Sequence, residues 1–270
     1  MWFLVTALTL ATALTVGLIA NRWVRPFAKT EVQGVKLELL VSPLLTLTVL
    51  LLSFVLVQAF SSYNRVRVAE GREASRLAFE YEVAGYYPDD VALPMQEALI
   101  CYGRSVVNVE WPTLAGGTSL HPLPTAWAEQ VDASLAEINA SGETGQPYGV
   151  LITADRDRGE GRRLRLTEVE PSVPTAVSIL MIIVTAAALA AIATFTLPYV
   201  SRRVQIGALV VMLFVFTAMH WTIWEIDHKF EGVVQVEPTD LTLLTGAMSD
   251  QFAERHPEVT LPCNERGEPT

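Results

Sequence analysis

Residues Val173–Val200 read VPTAVSILMIIVTAAALAAIATFTLPYV, an unbroken run without one charged side chain. At about 1.5 Å per residue, a helix of about 20 such residues crosses a hydrocarbon core of about 30 Å. Pro174 opens the run and Pro198 closes it, as helix punctuation predicts. Three further apolar blocks flank it. Val204 to about Ile226 ends in Trp221, Trp224, Glu225 and Asp227, with tryptophan where an interfacial belt would sit. Leu39–Phe60 is again uncharged, with Pro43 in its first turns, where a missing N–H is best tolerated. Trp2–Ala20 reads as a retained anchor rather than a cleaved signal peptide. Its apolar run exceeds a usual signal core, no basic residue precedes it, and Asn21-Arg22-Trp23 makes a poor cleavage site.

These blocks explain why 51% of the 270 residues are hydrophobic. They predict an all-α membrane protein with four transmembrane helices and a helical extramembrane domain between the second and third. The predicted division is 1–60 for the first two spans and 61–172 for a mainly helical polar domain. Residues 173–226 form the last two spans, and 227–270 a polar tail. A formal charge of −10 argues against a nucleic-acid partner, which calls for clustered Lys and Arg. Two cysteines are too few for a metal-binding framework, and phosphate-loop, HExxH and GxSxG motifs are absent, so no cofactor or metal is expected.

Four spans put both termini on one side, and charge assigns the side. The connections 21–38 and 201–203 carry Arg22, Arg25, Lys29, Lys36, Arg202 and Arg203 against Glu31 and Glu38, a net of +4. Region 61–172 holds 10 basic and 17 acidic residues, and the stretch from Glu225 onward 3 and 10, each a net of −7. Basic residues in short loops stay cytoplasmic. Both termini and 61–172 are therefore expected on the outer side of the cell membrane. Arg65, Arg67, Arg72 and Arg76 after the second span, with the arginines from 156 to 165 before the third, pull the other way.

In the polar region, Val66, Ala69, Leu77, Tyr81 and Ala84 recur at helical spacing, predicting a helix over 63–87 that continues the second span. Pro94 is expected in the first turn of another helix through Met95, Leu99, Tyr102 and Val106. A third is expected from near Pro124 to Ser141-Gly142. Over 142–170, Gly142, Gly145, Gly149, Gly159 and Gly161 predict loops, with a short helix or strand near Gly149–Ile152. The tail has a helical segment near 240–254 followed by an extended end.

Four groups of residues are candidates for function, and each has a plainer structural reading. Ser42, Thr46 and Ser53 fall within about 40° of one another at about 100° per residue, with Val49 and Phe60 on the same face. Such a stripe lines a pore or, equally, packs helices in lipid, as the small face Ala7, Ala11 and Thr15 of the first span is expected to do. Glu110-Trp111-Pro112 either places Glu110 in a vestibule or against an arginine such as Arg104, or is a corner where Trp111 packs and Pro112 ends the helix. His220, Glu225, Asp227 and His228 cluster at the end of the fourth span, where an ionisable residue is a functional candidate by default and an interfacial cap is the plainer reading. Cys101 and Cys263 would share an oxidising compartment under the charge-based topology and form a disulfide there, the plainer reading being two unrelated thiols with Cys101 buried on its helix.

Three stretches carry a family resemblance. They are Glu73-Ala74 leading to Tyr86-Tyr87-Pro88; Tyr102 with Val106-Val107-Asn108-Val109-Glu110-Trp111-Pro112 and Gly116; and Ile226-Asp227-His228-Lys229-Phe230-Glu231-Gly232 with Val236 and Pro238. In this order and spacing, over roughly residues 35–250, the sequence resembles the bestrophin-like family of bacterial and plant membrane proteins. It departs at His228-Lys229, where a proline before the phenylalanine would be expected. The resemblance implies kinship with bestrophins, which are pentameric anion channels with a helical cytosolic region. That arrangement puts both termini inside, against the charge-based orientation kept here. Three functions follow as expectations: a homo-oligomeric channel or pore in the lipid bilayer, a non-catalytic accessory subunit of a larger membrane complex, or, with no nucleophile–base set in its favour, an enzyme.

Overall fold

The computed structural model describes residues 2–24, 38–117, 120–142, 144–195 and 202–270. Most of the two basic connections, including Arg25, Lys29, Glu31 and Lys36, and the closing Pro198, lie outside the described residues. Among those described, the fold is all-α, with four helices long and apolar enough to cross a membrane. The chain forms two compact units, Met1–Ser61 with Pro171–Asp227, and Ser62–Glu170 with His228–Thr270.

The first unit contains α1 (Trp2–Val24), the start of α2 (Glu38–Ala84), α7 (Thr175–Phe195) and α8 (Arg202–Asp227). Lipid offers the backbone no hydrogen-bond partner, so uncharged runs of this length satisfy their own N–H and C=O groups as helices. The buried residues of α1, which packs against α7 and α8, are Thr6, Leu10, Leu14, Gly17 and Asn21. The expected packing face is therefore displaced: Ala7 and Ala11 are half-buried and Thr15 is exposed. Gly17 explains the shift, because a Cβ there would lie 2.5 Å from the Ala190 carbonyl oxygen. Next to it, Asn21 donates to the Thr194 carbonyl at 2.6 Å, a polar contact between helices.

In the second unit, α2 continues to Ala84, and Pro88 precedes α3 (Asp89–Ser105). Asp89 and Asp90 in the first turn suit the helix dipole, so α3 starts before Pro94, which sits inside the helix instead of opening it. A π-turn at Val106–Glu110 joins α3 to α4 (Trp111–Leu114), and α5 spans Pro122–Ser141. Gly142, at φ 82°, ends α5 in the left-handed conformation glycine favours. The expected loop over 142–170 is a 22-residue helix, α6 (Gln146–Thr167). The last helix is α9 (Thr239–Arg255). One core joins these elements through Leu77, Leu99, Tyr102, Trp127, Ile138, Leu151, Phe230 and Phe252.

Candidate functional site

The α2 and α6 helices run antiparallel and meet through charge. Glu73 pairs with Arg165 at 2.9 Å and Glu80 with Arg158 at 2.9 Å, each partner seven residues from the next along its helix. Two helical turns separate both the acids and the bases, so both pairs lie on facing stripes. Gly161 makes the approach possible. A Cβ there would stand 2.9 Å from the Glu73 backbone nitrogen, whereas at the exposed Gly159 it would meet nothing within 4 Å. Replacing glycine by alanine within a helix normally gains about 1 kcal/mol, but overpacking a close contact costs about 1–3 kcal/mol. Gly159→Ala is therefore expected to raise the urea midpoint and Gly161→Ala to lower it. The same sign for both would mean that the helices do not touch there.

Glu110 joins this lattice from the π-turn. Its Oε1 accepts from Arg165 Nη2 at 2.8 Å, and its Oε2 from Arg162 Nη2 at 2.5 Å and from the His121 backbone N–H at 3.4 Å. Arg165 thus bridges two fully buried carboxylates, and the Tyr102 hydroxyl donates to Glu73 at 2.7 Å. The Arg165 guanidinium lies 5.0 Å above the Trp111 ring, which meets Phe230 edge-on at 5.6 Å. The Trp111 indole N–H donates to the Val236 carbonyl at 3.2 Å. Burial alone would raise the Glu110 carboxyl, but the hydrogen bond from Arg162 and the Arg165 and Arg162 charges outweigh it, holding the group below the usual carboxylate range. For Tyr102, burial followed by the Glu73 charge pushes the phenol up, which keeps it a donor.

The Glu110-Trp111-Pro112 corner differs from expectation in two respects. Arg104 does not pair with Glu110. It reaches the Asn264 carbonyl, Ser249 and Glu265. Nor does Pro112 end the helix, since Trp111 is αR at φ −56°, ψ −47°. The π-turn accounts for this: the Trp111 N–H reaches back to the Val106 carbonyl, five residues earlier, and the widened turn accommodates a ring that would clash in a regular α-helix.

Three of the span-end residues have partners within the first unit. His220 Nδ1 meets its own helix at the Phe216 carbonyl, 2.9 Å away, and Glu225 accepts from Trp221 at 3.0 Å. Asp227 accepts from the Ser172 N–H and hydroxyl at 2.8 and 2.7 Å and from the Val173 N–H, forming a cap just before α7. His228 belongs to the other unit, where its carbonyl accepts from Glu231. Among the described residues, no His, Cys, Asp and Glu group is arranged to hold a metal. In the second span, Ser42, Thr46, Val49 and Phe60 are exposed and Ser53 half-buried, while Thr48, Leu52, Val55 and Ala59 take the buried face. Cys101 and Cys263 form a disulfide with Cα atoms 5.9 Å apart. Around it, Trp127 donates to the Gly267 carbonyl at 2.7 Å and Asn108 to the Glu265 carbonyl at 3.0 Å.

The sequence model of the bestrophin-like domain matches residues 6–241. The chain belongs to the bestrophin-like family. No curated protein is significantly similar to it in sequence. Two crystal structures of a bacterial bestrophin homologue from Klebsiella pneumoniae share the fold. One, a point mutant, has a TM-score of 0.69 at 11% identity, covering 96% of this chain and all of that one. The other, phased with zinc, has a TM-score of 0.65 at 14% identity, covering 96% and 98%. In this bestrophin-like chain the three stretches that carry the family resemblance meet in one place. Glu73 comes from the first, Tyr102, Glu110 and Trp111 from the second, and Phe230 and Val236 from the third. Arg158, Arg162 and Arg165, which tie these segments together, lie on α6, where the glycines of the sequence predict loop. The signal for them was their spacing of four and three, one face of a helix.

Proposed function

We propose that this bestrophin-like protein is a homo-oligomeric membrane channel whose pore is lined by the second span, and that it carries out no catalysis. The observation that supports this is the division of α2 into two faces. Thr48, Leu52, Val55 and Ala59 pack within the chain, leaving the stripe of Ser42, Thr46, Val49, Ser53 and Phe60 largely uncovered, with Val49 50% and Phe60 58% exposed. Hydroxyls and small residues on that stripe suit ions and water, and rings of Val49 and Phe60 suit apolar constrictions that close by dewetting. The polar unit is acidic, and an acidic mouth concentrates cations rather than anions. In this reading both termini and the polar unit lie outside the cell. The Cys101–Cys263 disulfide supports that side, since disulfides persist in oxidising compartments.

Currents through purified protein in planar bilayers test the proposal. Val49→Ala and Phe60→Ala are each expected to raise basal current by on the order of tenfold, equivalent to about 1.4 kcal/mol off the barrier. Ser53→Glu is expected to raise cation preference. No current from any variant, or a single copy bound inside a larger complex, would favour the accessory-subunit alternative.

A further inference from the structure

The charge lattice has an unbalanced end. Glu80 is fully buried, and its Oε2 accepts from Arg158 Nε at 2.9 Å, but its Oε1 has no hydrogen-bond partner among the described residues. Arg158 is itself shared, pairing with Asp155 one turn earlier on α6. Asp132 on α5 adds its charge to Glu80, with Glu129 beside it, and the Tyr102 ring on α3 lies 4.5 Å beneath the Arg158 guanidinium. One guanidinium therefore serves Glu80, Asp155 and Asp132. By contrast, Glu73 and Glu110 are met by two, Arg162 and Arg165.

A buried excess of negative charge is relieved by taking up a cation or a proton. The described residues offer no metal-binding group. An unpartnered carboxylate oxygen in a dry site costs more than an unpartnered neutral hydroxyl. We propose that Glu80 is a proton-binding site, occupied in the folded protein under conditions where Glu110 is ionised, and that losing this proton destabilises the polar unit by leaving an under-compensated charge in its core. Burial is the largest influence on Glu80. It outweighs the pull of Arg158 and, with Asp155 and Asp132 adding to it, moves the carboxyl from 4.5 to about 7. Because the folded value lies above the unfolded one, the proton's contribution to stability is complete below about 4.5 and is lost as pH rises through about 7.

Thermal unfolding of the full chain in detergent, followed by tryptophan fluorescence, tests this between about pH 4 and about pH 9. The wild type is expected to lose several degrees of Tm in a broad step that begins near pH 4.5 and levels off above about pH 7, while Glu80→Gln, which carries the neutral form permanently, shows no step. The histidines are common to both proteins, so the difference between the two curves isolates Glu80. Asp132 is exposed, so Asp132→Asn keeps the experiment informative even if the Glu80 variant fails to fold. Removing its charge is expected to move the step to lower pH. An undiminished step in Glu80→Gln, or an unmoved step in Asp132→Asn, would overturn the proposal.

Discussion

Replacing Arg165 by Met is expected to be the most damaging single change in the polar unit. Arg165 is fully buried and bridges Glu73 and Glu110, both fully buried as well. Methionine fills much of the volume but, among the described residues, leaves the Tyr102 hydroxyl as the one hydrogen-bond donor to Glu73. Stranding a buried charge in this way costs about 3–5 kcal/mol. Glu110 keeps Arg162, so most of the loss should arise at Glu73. Adding Glu73→Gln to Arg165→Met removes the stranded charge and is expected to recover more than half of the loss. Urea unfolding followed through Trp111 and Trp127 measures both. A single variant within about 1 kcal/mol of wild type would mean that apolar packing, not charge, holds α6 in place.

The lattice was half legible in the sequence. Glu73 and Glu110-Trp111 stood out through the family resemblance, and the four spans could be read because uncharged runs in lipid have no alternative to helix. Seeing the other half required α6 to be recognised as a helix, and Gly149, Gly159 and Gly161 argued locally against it. Tertiary contact overrode propensity there. The cost of Gly161 in helix stability is the condition for α6 to approach Glu73, and ion pairs on that same face hold the helix. The π-turn was hidden for a related reason, since a residue before proline ordinarily avoids the helical region and only a widened turn admits Trp111 there. In the second span, angular arithmetic finds one face common to Ser42, Thr46 and Ser53, shared by Val49 and Phe60. That a face about 120° round the helix from it packs depended on where the other spans lie, which no single-helix reading contains.

The second large effect is expected at the disulfide. Cys101 and Cys263 are separated by 162 residues, and in the chain-entropy picture closing so long a loop contributes about 5 kcal/mol. That figure is an upper bound, because α7 and α8 lie within the loop and remain helical in detergent, restricting the freedom the open chain regains. Cys101→Ser is therefore expected to cost about 2–5 kcal/mol, and reductant should lower the Tm of the wild type but not of the variant. Alkylation of the non-reduced, denatured protein should find no free thiol. Two free thiols would remove both the staple and its support for an outward-facing polar unit.

The polar unit is also discontinuous in the chain, with Pro171–Asp227 between its two parts. This dictates an order of assembly. When Ser62–Glu170 has been synthesised, Trp111 still lacks Phe230 and Val236, Trp127 lacks Gly267, and Cys101 lacks its partner. Two further spans must be synthesised before those residues exist. Between these events a half-built core waits with its apolar faces unsatisfied. Nascent protein should therefore depend on holdase chaperones on that side of the membrane, and translation that stalls within α7 or α8 should leave a fragment destined for proteolysis.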